Sequence, residues 1–133
     1  MANENSIGVV EEAYNNFKRG DVGALLAQMD ASIEWHVPDV PSARFGGRRQ
    51  GQERVREFFT ILGTDQDVVT FEPRQFFAQG DTVVALGNYE WRVKATGKSF
   101  RSDFAHVFTV RDGKVTRFQE YTDSAAASEA YRK

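Results

Sequence analysis

The chain has no cysteine, so disulfides and thiolate chemistry are excluded. It has two histidines, His36 and His106, too few to make a metal-ligand spacing without cysteines beside them. Neither sign of charge dominates: 17 basic residues stand against 19 acidic ones, a balance without an electrostatic footprint for nucleic acid. The densest basic run, "GGRRQGQERVR", is broken by Glu53 and followed by Glu57, and reads as a solvated loop and helix face. No stretch approaches the ~20 apolar residues of a membrane span. The opening "MANENSIGVVEEAY" has neither a basic start nor a long apolar run, so no secretory signal is expected. Neither a P-loop nor a G-x-G-x-x-G run is present, which argues against a phosphate cradle, and no serine or cysteine nucleophile arrangement is visible. The expectation is a soluble cytoplasmic protein with no metal, no cofactor, no nucleic-acid partner and no membrane partner.

What is present is a globular core rich in one residue. The 133 residues suit a single domain, 1–133, with an ordinary apolar share of 41%. Phenylalanine is over-used, with eleven copies that supply broad apolar walls for a core or a pocket.

The first half carries helical spacing. Ile7, Val10, Tyr14 and Phe17 fall three and four apart, one stripe of a helix over residues 4–18, with Asn5 or Ser6 as its cap. Gly20 stops it, and Asp21 caps a second helix, "VGALLAQM". "ASIEWHVP" alternates Ile33, Trp35 and Val37 and suits a short strand, and "PDVPSARFGGRRQG" is a loop on its proline and glycine content. Val55, Phe58, Phe59 and Leu62 mark a third helix from Gln52 to Leu62.

The second half is strand-rich. "VVTFEPRQFFAQ", "TVVALGNYEWRVKA", "SFRSDFAHVFTV" and "KVTRFQEYT" are separated by "GD", "TGK" and "RDG", which implies an antiparallel meander of hairpins. Pro73 marks a bulge or an edge position. The final "SAAASEAYRK" is too polar and short to expect a helix, although Asp123 could cap one. The fold class is therefore α+β, with three N-terminal helices on one face of a long curved antiparallel sheet, a cone with an open mouth.

Strand alternation then isolates a candidate site. Phe104, His106, Phe108 and Val110 share one face, Phe118 and Glu120 share the next, and Tyr89 and Trp91 share a third. On a curved sheet these converge with Trp35 and Phe58, giving an aromatic pocket with two titratable groups, His106 and Glu120. Such a pair can exchange a proton with a substrate. The plainer readings are that His106 meets a structural acceptor and that Glu120 pairs with it or with Arg92 or Arg117. His36 alternates out of phase with Trp35 and belongs outside the pocket or at its rim.

The segments "AYNNFKRGDVGALLAQMDASIEWHVP", "GQERVREFF" and "HVFTVRDGKVTRFQEYTD" together resemble the NTF2-like superfamily, in its SnoaL-like, ketosteroid-isomerase-related branch. The resemblance spans nearly the whole chain and implies the cone fold and a homodimer. It also places His106 where the isomerases keep the protonated aspartate of their oxyanion hole, an acid held neutral by an apolar site. Trp35 falls at the general-base aspartate, which this chain lacks, and the oxyanion tyrosine falls near Ala13 or Tyr14. Glu120 corresponds to one carboxylate of a limonene-epoxide-hydrolase type of site, whose arginine and second aspartate would lie at Tyr89 and Trp91. Two functions follow as expectations. One is a cofactor-independent isomerase, cyclase or lyase with His106 and Glu120 as acid and base. Its substrate would be a small apolar or ring-containing molecule held by Trp35, Tyr14, Phe58, Tyr89, Trp91, Phe104 and Phe118. The other is a dimeric domain that binds a ligand without turning it over.

Overall fold

The computed structural model describes residues 3–133, with side chains from residue 6 onward. Helix α1 runs Asn3–Lys18 and buries Val10 and Tyr14, with Ile7 and Phe17 half-buried on the same stripe. The expected cap does not hold its place: the helix starts at Asn3, so Ser6 lies inside it, and the side chain of Asn5 is outside the described residues. Gly20, at φ +72°, lets the chain leave α1 through the left-handed region that glycine tolerates. Asp21 Oδ1 then accepts from Ala24 N at 3.0 Å and starts α2, Val22–Ala27.

Strand β1, Met29–Val37, is followed by a short β2, Gly47–Gln50, inside the stretch expected to be loop. "GRRQ" has no apolar alternation to announce a strand. Its order comes from β1, whose free edge it pairs in antiparallel register, Trp35 opposite Arg49 and Val37 opposite Gly47. Helix α3, Gln52–Asp65, buries Val55, Phe58 and Leu62. The strands β3 (Gln66–Gln79), β4 (Thr82–Val93), β5 (Ser99–Arg111) and β6 (Lys114–Thr122) complete a sheet in the order β2-β1-β6-β5-β4-β3. Its hairpins are antiparallel, as expected, but β1 runs parallel to β6, so the sheet is mixed. After α3 the chain crosses to the far edge, and the meander works back until β6 arrives beside β1 in the same direction.

Ser124–Tyr131 forms a fourth helix, α4, where too polar a segment was expected to stay irregular. Asp123 Oδ1 accepts from Ala126 N at 3.1 Å, and Thr96 Oγ1 donates to Ala130 O at 2.7 Å. Burial of Ala127, Ala130 and Tyr131 against the sheet end stabilises a helix that propensity alone leaves marginal. No described helix is long and apolar enough to cross a membrane.

The curvature that makes the cone has a local origin. β3 is the edge strand, and its pairing to β4 slips between Val68 and Thr70 and again between Pro73 and Gln75. Each slip bends the strand and increases its twist. Pro73 thus stands on the edge strand, directly before the bulged Arg74. Opposite Pro73 stands Gly87, and there a Cβ atom would lie 2.3 Å from the Glu72 carbonyl oxygen and 2.6 Å from Phe104 Cζ. Gly87→Ala should therefore cost ~1–3 kcal/mol, the usual penalty for forcing atoms into a packed interior. The check is a lower urea midpoint with an unchanged slope.

Candidate functional site

The inner face of the sheet, α1, α3 and the 38–46 segment enclose a cavity with about 100 Å³ open to the centres of water-sized molecules. One water needs ~10–15 Å³ on that measure, so the space suits a small molecule. Tyr14, Trp35, Phe58, Tyr89, Trp91, His106, Phe118 and Glu120 all line it. Phe104 is the expected wall residue that does not. Its ring points inward as alternation requires, but lies beneath the wall, stacked on His106 at 4.1 Å and on Tyr89 at 5.4 Å. Alternation identifies the face of a strand and cannot tell a lining ring from the ring behind it.

The polar end of the cavity is a chain of hydrogen bonds. His106, 4% exposed, is set between Phe104 and Phe108 on β5. Its Nε2 lies 2.9 Å from Glu120 Oε2, the residue directly opposite it on β6. Its Nδ1 lies 2.7 Å from the hydroxyl of Tyr14 on α1. With an ionised Glu120, which only accepts, and a neutral imidazole, Nε2 carries the proton, Nδ1 accepts and Tyr14 donates. Burial, with the negative charge of Glu120 second, raises the Tyr14 pKa well above the ordinary tyrosine value, which keeps that donor neutral. Tyr89 is raised for the same two reasons in the same order. Its hydroxyl lies 2.6 Å from Thr122 Oγ1 and 3.4 Å from Glu120 Oε2. Thr122 passes its own proton on to Ser102 Oγ at 2.8 Å.

Two consequences follow for chemistry. Both ring nitrogens of His106 are engaged by protein. Glu120 Oε1, by contrast, has no hydrogen-bond partner among the described residues, and its side chain, 14% exposed, lines the cavity. Glu120 is the carboxylate among the lining residues.

The rest of the wall is aromatic. Trp35 stacks on Phe118 with ring centres 4.0 Å apart, and its indole Nε1 has no acceptor among the described residues. Phe17, Phe59 and Phe71 also line the cavity and were not read as site residues from sequence. Phe17 and Phe59 sit on helical stripes that served equally well as core. Phe71 lies on the bulged edge strand, where the period of two fails. Gln66, buried at the start of β3, and Thr122, at the end of β6, were missed as well. Gln66 stands at an element boundary, where no periodicity marks a side chain's direction, whereas Thr122 continues the alternation of Phe118 and Glu120, a signal that could have found it.

His36 is outside this cavity, bonded to Gln119 Oε1 at 2.8 Å on the opposite sheet face. No group of three His, Asp or Glu side chains among the described residues is placed to hold a metal. Neither Arg92 nor Arg117 pairs with Glu120: Arg92 meets Asp67 at 2.8 Å on the exposed side.

The family model for the SnoaL-like domain matches residues 10–118, which takes in the Tyr14 helix, Trp35 and His106. The chain belongs to the SnoaL-like family. Its fold is the NTF2-like α+β cone. An NTF2-like protein from Burkholderia xenovorans LB400 is 30% identical over 99% of each chain, with a TM-score of 0.89. Another from Burkholderia thailandensis E264 is 28% identical over 100% of each chain, at 0.88. TerC, co-crystallised with polyporic acid, is 29% identical over 97% of this chain and 99% of its own, at 0.84. No curated protein matches the chain significantly. In this SnoaL-like chain Trp35 is built into the aromatic wall, stacked on Phe118.

Proposed function

We propose that this SnoaL-like protein is a cofactor-independent acid–base enzyme acting on a small ring-containing carbonyl compound, in an isomerase-, cyclase- or lyase-type reaction. The observation that carries this reading is the Tyr14–His106–Glu120 chain, which ends on a free carboxylate oxygen inside an aromatic cavity. His106 and Glu120 act as one unit. Glu120 Oε1 takes a proton from a carbon beside the substrate carbonyl, and the C–H electrons pass into an enolate. The Nε2–H of His106 holds Oε2 throughout and fixes the angle of attack. Returning the proton to another carbon isomerises the substrate, while attack of the enolate carbon on a second carbonyl closes a ring and leaves an alkoxide that takes the proton back from Glu120. The aromatic wall binds the flat substrate and excludes bulk water. The relative TerC, co-crystallised with polyporic acid, supports an organic ligand for this fold.

A second reading has its own support. Both nitrogens of His106 are occupied, and the isomerases' base position is held by Trp35, which suits a domain that binds without turnover. Deuterium exchange separates the two. The protein is incubated in heavy water with cyclic ketones shown by calorimetry to bind, and label on carbon is followed by mass spectrometry. Wild type should accelerate exchange, and Glu120→Gln should slow it by ~10²–10⁴-fold with little change in ketone affinity, the usual worth of a positioned base. Bound ketones that exchange no faster than in buffer would establish the binding domain instead.

The same proposal includes a homodimer through the outer face of β5 and β6. Ala105 and Val107 stand there between Asp103 and Thr109 and opposite Tyr121, which is 58% exposed, and Gln119, with Arg101 and Arg117 beyond them. Small and apolar groups ringed by charges suit a two-fold contact better than open water. Sedimentation velocity at micromolar concentration should give a dimer, and a monomer there would remove this part of the reading.

A further inference from the structure

Gln66 is a buried polar residue with no place in the chemistry described so far. It is 3% exposed and lines the cavity. Its Oε1 accepts from Tyr131 of α4 at 2.6 Å. Burial, then the charge of Asp65, pushes the Tyr131 hydroxyl up to about 12, so it stays protonated and able to donate. The other half of the amide, Nε2, has no hydrogen-bond partner among the described residues, yet it is not sealed off as Trp35 Nε1 is. An amide N–H that is not sealed off, on a side chain lining an apolar cavity, is a donor open to an acceptor on a ligand.

Its position in the fold supplies one. Gln66 stands opposite Val93 of β4, while His106, the partner of Glu120, stands opposite Ala85 of the same strand. Eight positions along β4 separate those points. The rings of Tyr89, Trp91 and Phe71 fill the wall between. The cavity therefore has two polar ends across an aromatic middle. One end offers an acceptor, Glu120 Oε1. The other offers a donor, the Gln66 amide.

We infer that Gln66 is a specificity-determining residue that recognises a hydrogen-bond acceptor, a ketone or similar carbonyl oxygen, at the end of the ligand remote from Glu120. The ligand class is a flat aromatic molecule with an acidic C–H or hydroxyl at one end and a carbonyl at the other. This deepens the acid–base reading by naming what the far end of its substrate carries. Recognition itself needs no turnover.

Matched probes test it by calorimetry. para-Hydroxyacetophenone is paired with para-ethylphenol, and para-hydroxybenzylacetone with para-butylphenol. Each pair differs only by a carbonyl in place of a methylene, at two lengths. In at least one pair the ketone should bind wild type ~3–10-fold more tightly, the net worth of one hydrogen bond. Gln66→Leu alone strands the buried Tyr131 hydroxyl and lowers stability. The double variant Gln66→Leu with Tyr131→Phe removes both polar groups together, a change that can be nearly neutral for stability. It should keep its melting temperature and bind ketone and alkylphenol equally. Glu120→Gln should retain the ketone preference, so failed exchange chemistry and failed recognition are read separately. Alkylphenols that bind as well as their ketones in both pairs, no binding by any of the four, or a ketone preference that survives in the double variant would each overturn the assignment.

Discussion

A histidine buried among phenylalanine rings must find partners for both ring nitrogens, and His106 finds them on two different elements. Tyr14 reaches it from α1 and Glu120 from β6, so the first helix, the fifth strand and the sixth are tied at one point. An unpaired buried donor or acceptor costs ~1–3 kcal/mol, a sizeable share of the stability of a domain this size. The rest of the arrangement depends on that tie. Helix α1 must dock with its Tyr14 face inward, and β5 and β6 must keep the register that sets His106 opposite Glu120. A slip of one residue would turn the whole inner face outward.

The aromatic shell makes the tie consequential. Phe104 stacks on the imidazole from below, Phe108 and Phe118 meet it edge-on, and Tyr14 stacks alongside. In that low-dielectric surrounding each hydrogen bond is stronger than in water, and an incomplete network is correspondingly penalised. Tyr14 spends its only proton on His106, and His106 spends its own on Glu120 Oε2. What remains for a ligand is the second carboxylate oxygen at one end of the cavity and the Gln66 amide at the other. Among the described residues the Trp35 indole Nε1 also stays without an acceptor in the aromatic wall.

Much of this was legible in the sequence where periodicity held. The alternation of "DFAHVFTV" and "RFQEYT" places His106 and Glu120 on a common face without knowledge of the fold. The helical stripe in α1 turns Tyr14 toward them, although resemblance alone left Ala13 and Tyr14 unresolved. Legibility failed where local pattern and tertiary context part company. The strand at Gly47–Gln50 has no alternation because its order comes from the free edge of β1. Helix α4 is too polar to announce itself and forms because the sheet end buries Ala127, Ala130 and Tyr131. Gln66 sits at a helix-to-strand junction, where neither period applies. Phe104 shows the converse, since its face was right and its depth was not.

The claim at the centre is the direction of the proton chain, Tyr14 to His106 and His106 to Glu120. Long-range proton–nitrogen NMR correlation on the His106 ring reports it directly at neutral pH. The account predicts a protonated Nε2 and an unprotonated, hydrogen-bonded Nδ1, and Tyr14→Phe should move the Nδ1 signal toward that of a free imine nitrogen while Nε2 keeps its proton. A proton found on Nδ1, or an Nδ1 signal indifferent to the loss of the Tyr14 hydroxyl, would contradict it.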